Sequence, residues 1–167
     1  MTAVAVLMGS DSDMSTMTHC VEQLREFGID PVVRIISAHR TPNVADDFAK
    51  SAADKGIHVI IAAAGMAAHL AGALASRTTI PIIGVPLPSG LGLGGMDALL
   101  STVQMPPGVP VATMSLGKAG AKNAAIFAVQ ILALADEALA KKLRLFKAQQ
   151  REAVIKKDAS LQQPTSP

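Results

Sequence analysis

Five short apolar runs, near residues 3–8, 31–36, 57–63, 80–85 and 110–114, alternate with segments of helical periodicity near 13–27, 42–55, 66–77, 96–104 and 119–135. The runs are rich in Val and Ile and largely lack the polar alternation of a half-exposed strand. Strands of that kind are covered on both faces, as in a parallel sheet flanked by helices. The alternation therefore predicts an α/β fold: a doubly wound three-layer α/β/α sandwich with right-handed crossovers. Gly28 and Gly56 are placed to stop two of the helices, and Pro42 to open one.

The 167 residues suit a single domain, expected over 1–157. Its last part is an amphipathic helix over 136–157, a C-terminal arm with Leu139, Leu143, Phe146 and Val154 at helical spacing. Packing on its own domain and packing on a neighbouring subunit are equally consistent with that pattern. Residues 158–167 are polar with two prolines and are expected to be disordered. Half of the residues are hydrophobic and only 17% charged, a balance that points to surface buried between subunits. A net charge of +2 with 2% aromatics argues against a nucleic-acid partner. The apolar stretches fall short of the ~20 residues that span a bilayer. Cys20 has no partner for a disulfide, and the N-terminus enters a strand without a signal segment. A cytoplasmic protein is expected, with neither nucleic acid nor membrane as a partner.

Ligands of open α/β sheets bind beyond the carboxyl ends of the strands, where this chain places its polar motifs. Gly9-Ser10-Asp11-Ser12-Asp13 follows the first run and offers hydroxyls, carboxylates and helix-start amides to an anion or a sugar. Ser37-Ala38-His39-Arg40-Thr41-Pro42 follows the second. There an imidazole, the side chain that titrates near neutral pH, stands beside a guanidinium able to fork onto a phosphate. Ala63–Gly72 follows the third. Its small residues let a ring approach the backbone, and helix-start amides with His69 could hold a carboxylate. Pro86–Asp97 follows the fourth and reads as a glycine-rich lid.

Each motif alone has a plainer alternative. The first could be only a helix cap, Arg40 could pair with Asp46, and His69 could be a satisfied helix histidine. The segment Gly117–Ala125 could touch a ligand, but Ala-rich packing between subunits is preferred. His19 and His58 are read as structural, and Cys20, on a helix face, as a poor nucleophile. No dinucleotide G-x-G-x-x-G is read anywhere in the chain. No nucleoside-triphosphate loop or metal-ligand spacing is read, so no cofactor or metal is expected.

As a set, the motifs resemble the N5-carboxyaminoimidazole ribonucleotide mutase family of purine biosynthesis, from Val4 to about Leu134. The carriers are Met8–Asp13, Ser37–Pro42, Ala67-Ala68-His69-Leu70, Asp97–Ser101, Val103–Pro106 and Gly117–Ala121. The Ser-Ala-His-Arg-Thr-Pro form is similar to the class I mutases; class II carboxylases, which use free CO2, have Lys and Gly after that His. The resemblance implies a flavodoxin-like parallel sheet, a homo-octamer and a reaction without cofactor or metal. In that reaction a carboxylate moves from the exocyclic nitrogen of an aminoimidazole ribotide to ring carbon C4, by way of CO2.

By the same resemblance, Ser10, Asp13 and Arg40 bind the ribotide, with Asp11, Ser12 and Ser37 beside them. His39 is the general acid and base. His69, with Ala67, Ala68 and Leu70, holds the carboxylate or CO2. Met66 stands where the family pattern has Gly and Ala71 where it has Pro, and the lid lacks the usual Gln and Lys. A carboxylase taking CO2 directly and a non-catalytic ribotide-binding protein are the alternatives.

Overall fold

The computed structural model describes residues 3–90 and 93–162. Five parallel strands form one sheet: β1 (Val4–Met8), β2 (Val32–Ile35), β3 (Val59–Gly65), β4 (Ile82–Leu87) and β5 (Ala112–Thr113). Their order is β2-β1-β3-β4-β5, with Val6 opposite Val33 on one side and Ile61 on the other. That is the flavodoxin-like order, with its switch point between β1 and β3. The helices are α1 (Met14–Glu26), α2 (Pro42–Ser51), α3 (Leu70–Ala75), α4 (Met96–Val103), α5 (Gly117–Leu132) and α6 (Glu137–Leu161).

Side chains alternate faces along a strand, so each continuous apolar run feeds two cores. Val4, Val6 and Met8 join Val59, Ile61 and Val85 against α1 and α5. Ala5 and Leu7 join Ile60, Ala62 and Ile82 against Phe48 of α2 and Leu70 and Leu74 of α3. Gly28 and Gly56 take φ of 83° and 75°, the left-handed conformation that ends a helix. Pro42 occupies the first turn of α2, as expected.

Three expectations change. The alanine face of α5 (Ala121, Ala124, Ala125 and Ala128) is buried within this chain's own core rather than between subunits. Small side chains there let α5 lie close to α1 and the sheet. The helix expected over 66–77 begins only at Leu70, because Met66 has φ 53° and turns the chain off the helical path. The C-terminal helix passes the expected end at 157 and runs to Leu161, so residues 158–161 are helical rather than disordered. No helix breaker precedes Pro164, and Gln162 Nε2 donates to Asp158 Oδ2 at 2.9 Å. The rest of the expected tail, from 163, lies outside the described residues.

The start of α6 docks in cis. Leu139, Leu143 and Phe146 pack on the α1/α5 core, and the Phe146 ring meets Phe27 edge-on at 5.3 Å. Lys142 Nζ donates to the Phe27 carbonyl at 2.7 Å, closing the end of α1. Beyond Phe146 the helix is exposed. Among the described residues, no helix is long and apolar enough to cross a membrane.

Candidate active site

The loops leaving β1, β2, β3 and β4 enclose a cleft of about 500 Å³ at the switch point. Ser10, Ser12, Asp13, Ser37, His39, Arg40, Ala67, His69 and Leu70 line it, so most of the expected site is brought together. Asp11 and Ala68 do not line it. Asp11 instead organises its own loop, accepting from Ser10 Oγ and the Ser12 amide at 3.0 Å each. Those hydrogen bonds hold its carboxyl below the usual carboxylate range, Ser10 contributing most.

The β1 loop is a capping box. Asp13 Oδ2 accepts from the Ser10 amide at 3.1 Å, while Ser10 Oγ accepts from the Ser12 amide. Burial pushes the Asp13 carboxyl above its ordinary pKa, against the lowering effect of the Ser10 and Gly9 amides. The folded state therefore binds this proton more tightly than the unfolded chain does. Its contribution to stability is present in acid and lost as pH rises through the folded pKa. At neutral pH this group therefore contributes less to stability than it does in acid.

Arg40 is positioned by its neighbours without being neutralised. Nη2 donates to the Gly9 carbonyl at 2.9 Å, and the Arg40 amide donates to Ser37 Oγ at 3.1 Å. Thr41 Oγ1 accepts from the Ser37 amide and donates to the Ser37 carbonyl, fixing the turn. Asp46, the alternative partner for Arg40, pairs with Lys50 and Arg77. Among the described residues Arg40 has no carboxylate partner, so its charge is free for an anion.

His39 Nε2 and His69 Nδ1 lie 2.7 Å apart, with the rings edge to face. A hydrogen bond of that length needs one bare nitrogen and one protonated nitrogen. At most one of the pair is an imidazolium, and His69 keeps only Nε2 for any other partner. The amides of Ala68 and His69 are taken up locally, by the Met66 carbonyl at 2.9 Å and the Ala67 carbonyl at 2.7 Å.

His19 and His58 lie outside the cleft; His19 sits 3.6 Å from Glu22. Cys20 is buried, and burial pushes its thiol up to about 12, so it stays protonated and unreactive. Six lining residues lie outside the expected set: Gly9, Ala38, Ala64, Gly65, Met66 and Ser89. Met66 is half-exposed at the cleft, and Ser89 Oγ is buried there without a hydrogen-bond partner among the described residues. Ser89 follows β4, so the strand-end rule could have found it. Gly90–Gly95 also has the spacing G-x-G-x-x-G, overlooked in reading no dinucleotide motif. It begins three residues beyond β4 and has no acidic residue about 20 positions on, so the fingerprint is incomplete. Residues 91 and 92 of the expected lid lie outside the described residues.

The sheet order defines a flavodoxin-like α/β protein with a cleft at the switch point. The chain belongs to the AIR carboxylase family, whose model matches residues 3–153. It is 52% identical over 155 residues to N5-carboxyaminoimidazole ribonucleotide mutase of Saccharolobus solfataricus, covering 93% of this chain and 96% of that one. The mutase of Bacillus subtilis is 54% identical over 140 residues, covering 84% and 86%. A crystal structure of Treponema denticola PurE superposes with a TM-score of 0.86 at 29% identity, covering 96% of this chain and 98% of that one.

Proposed function

We propose that the protein is an N5-carboxyaminoimidazole ribonucleotide mutase, an isomerase of purine biosynthesis. The ribotide phosphate lies between the β1 loop and the free guanidinium of Arg40, with Ser10, Ser12 and Ser37 donating. Asp13 accepts from the ribose hydroxyls. The imidazole base then points toward the small residues after β3, beside His39.

The 2.7 Å contact between His39 and His69 is the observation that most supports the chemistry. His39 protonates the exocyclic nitrogen as its N–C bond breaks, releasing CO2 and a neutral amine. Ring carbon C4 attacks the trapped CO2, and His39 takes the C4 proton. The substrate's own atoms are conserved, and one residue serves as acid and then base. His69 Nδ1 holds the His39 ring through Nε2, leaving His39 Nδ1 to move the proton, and offers its own Nε2 to the carboxylate. Ala67 and Leu70 shape the wall beside it. Turnover without added bicarbonate separates this reading from a carboxylase using dissolved CO2.

We also place the enzyme in the cytoplasm as a homo-octamer. Met96, Leu100 and Val103 form an exposed apolar stripe along α4 at i, i+4 and i+7, and Val154 and Ile155 are exposed on α6. Such faces suit burial against other copies.

Asp13→Asn tests the role of the capping carboxyl. Asn can accept the Ser10 amide without burying a charge. The variant is expected to melt no lower than wild type at pH 7, with any gain vanishing below about pH 4. Its kcat/KM falls at least about 10-fold through the lost acceptor for the ribose. Lower stability at pH 7 with unchanged kcat/KM would reverse both assignments.

A further inference from the structure

We propose that Ser89 is a further substrate-binding residue, its hydroxyl donating to the carboxylate that the reaction moves. The inference rests on the mutase reading. Ser89 lines the cleft, yet its Oγ is closed off from solvent and meets no hydrogen-bond partner among the described residues. Such an orphaned hydroxyl is uncommon and costs stability. Alanine would fill the same wall without that cost, so the oxygen has its use when a ligand is present.

The fold fixes where that hydroxyl stands. Leu87, at the end of β4, pairs with Gly65 at the end of β3. A Cβ on Gly65 would lie 3.6 Å from the Ser89 Cβ and 3.1 Å from the Leu87 carbonyl oxygen, so glycine there lets Ser89 close against the β3 end. Pro88 is wedged beside it: a Cβ on Gly95 would lie 3.3 Å from Pro88 Cα, and one on Gly117 3.5 Å from Pro88 Cδ. The chain just before Ser89 is therefore packed between the starts of α4 and α5, and the residue is in place before any ligand arrives.

Sheet order says which part of a ribotide reaches it. Arg40 follows β2 and Ser89 follows β4, three steps along in the order β2-β1-β3-β4. At about 4.8 Å per step, the two strand ends stand roughly 14 Å apart. A ribotide held by its phosphate at Arg40 crosses that gap with its base end toward β4. The acceptor it brings there is the carboxylate, which is ionised, has no proton to give and has room for about four hydrogen bonds. His69 Nε2 supplies one of them, and Ser89 Oγ supplies a second. Having no water to give up, Ser89 gains more from that bond than an exposed hydroxyl would. In aminoimidazole ribotide, after CO2 has left, the acceptor is gone.

Calorimetric titration with the C4-carboxylated ribotide and with aminoimidazole ribotide, which lacks the carboxylate, tests this. For Ser89→Ala the affinity for the carboxylated ribotide is expected to fall at least about 10-fold, while that for aminoimidazole ribotide stays within about 2-fold. Its Tm does not fall, because the variant removes a buried hydroxyl that nothing satisfied. Ser89→Cys keeps the size of the side chain but is a weak donor, and is expected to bind as Ser89→Ala does. Equal loss for both ribotides, loss for neither, a Cys variant that binds as wild type does, or a lowered Tm would each overturn the role of the hydroxyl and leave the mutase reading intact. Wild-type enzyme that binds neither ribotide overturns the mutase reading itself.

Discussion

His39→Asn is expected to lower kcat by about 1,000-fold or more, the scale of a general acid and base lost from one step. Asn can hydrogen-bond to His69 but cannot give and retake a proton near neutral pH. His39 is exposed on the turn after β2, and Ser37, Thr41 and Arg40 hold that turn without it. The variant should therefore melt as wild type does and bind ribotide within a few-fold by calorimetry. Arg40 and the β1 loop, which take the phosphate and ribose, are untouched. A variant that retains more than about a tenth of the wild-type rate removes His39 from the proton path.

Gly120→Ala carries the largest expected cost in stability. A Cβ at Gly120 would lie 1.6 Å from the Ser115 carbonyl oxygen and 2.7 Å from its carbon. Both clashing atoms are backbone, so no rotamer change relieves them. The start of α5 has to move away from the segment after β5, where the Met114 amide bonds to Gly84. Overpacking of this kind costs about 3 kcal/mol or more. For a chain of this length that lowers Tm by about 6–12 °C. Differential scanning calorimetry measures it directly; a shift within about 2 °C would mean that the helix start is not clamped as described.

The strand-end logic was legible because the physics behind it is local. Continuous Val and Ile runs give buried parallel strands, and polar loops after them collect at one edge of the sheet. That logic puts Ser10, Asp13, Ser37, Arg40, His39 and His69 at one edge of the sheet, and all six line the cleft. The 2.7 Å contact between His39 and His69 was not legible, since 30 residues separate them and only the β1–β3 switch point brings their loops together. The late start of α3 was hidden because Met66 is an ordinary helix former whose left-handed φ is imposed by tertiary context. The alanine face of α5 was assigned to the wrong contact for a related reason. Small side chains signal close approach without saying whether a neighbour in the same chain or another subunit approaches.

The most direct test of the account is a stopped-flow ultraviolet assay of the purified protein with N5-carboxyaminoimidazole ribotide, with and without added bicarbonate. The account predicts rapid formation of the C4-carboxylated ribotide at the same rate in both. No product from that substrate, together with product from aminoimidazole ribotide plus bicarbonate, would contradict it and identify a carboxylase that takes CO2 directly.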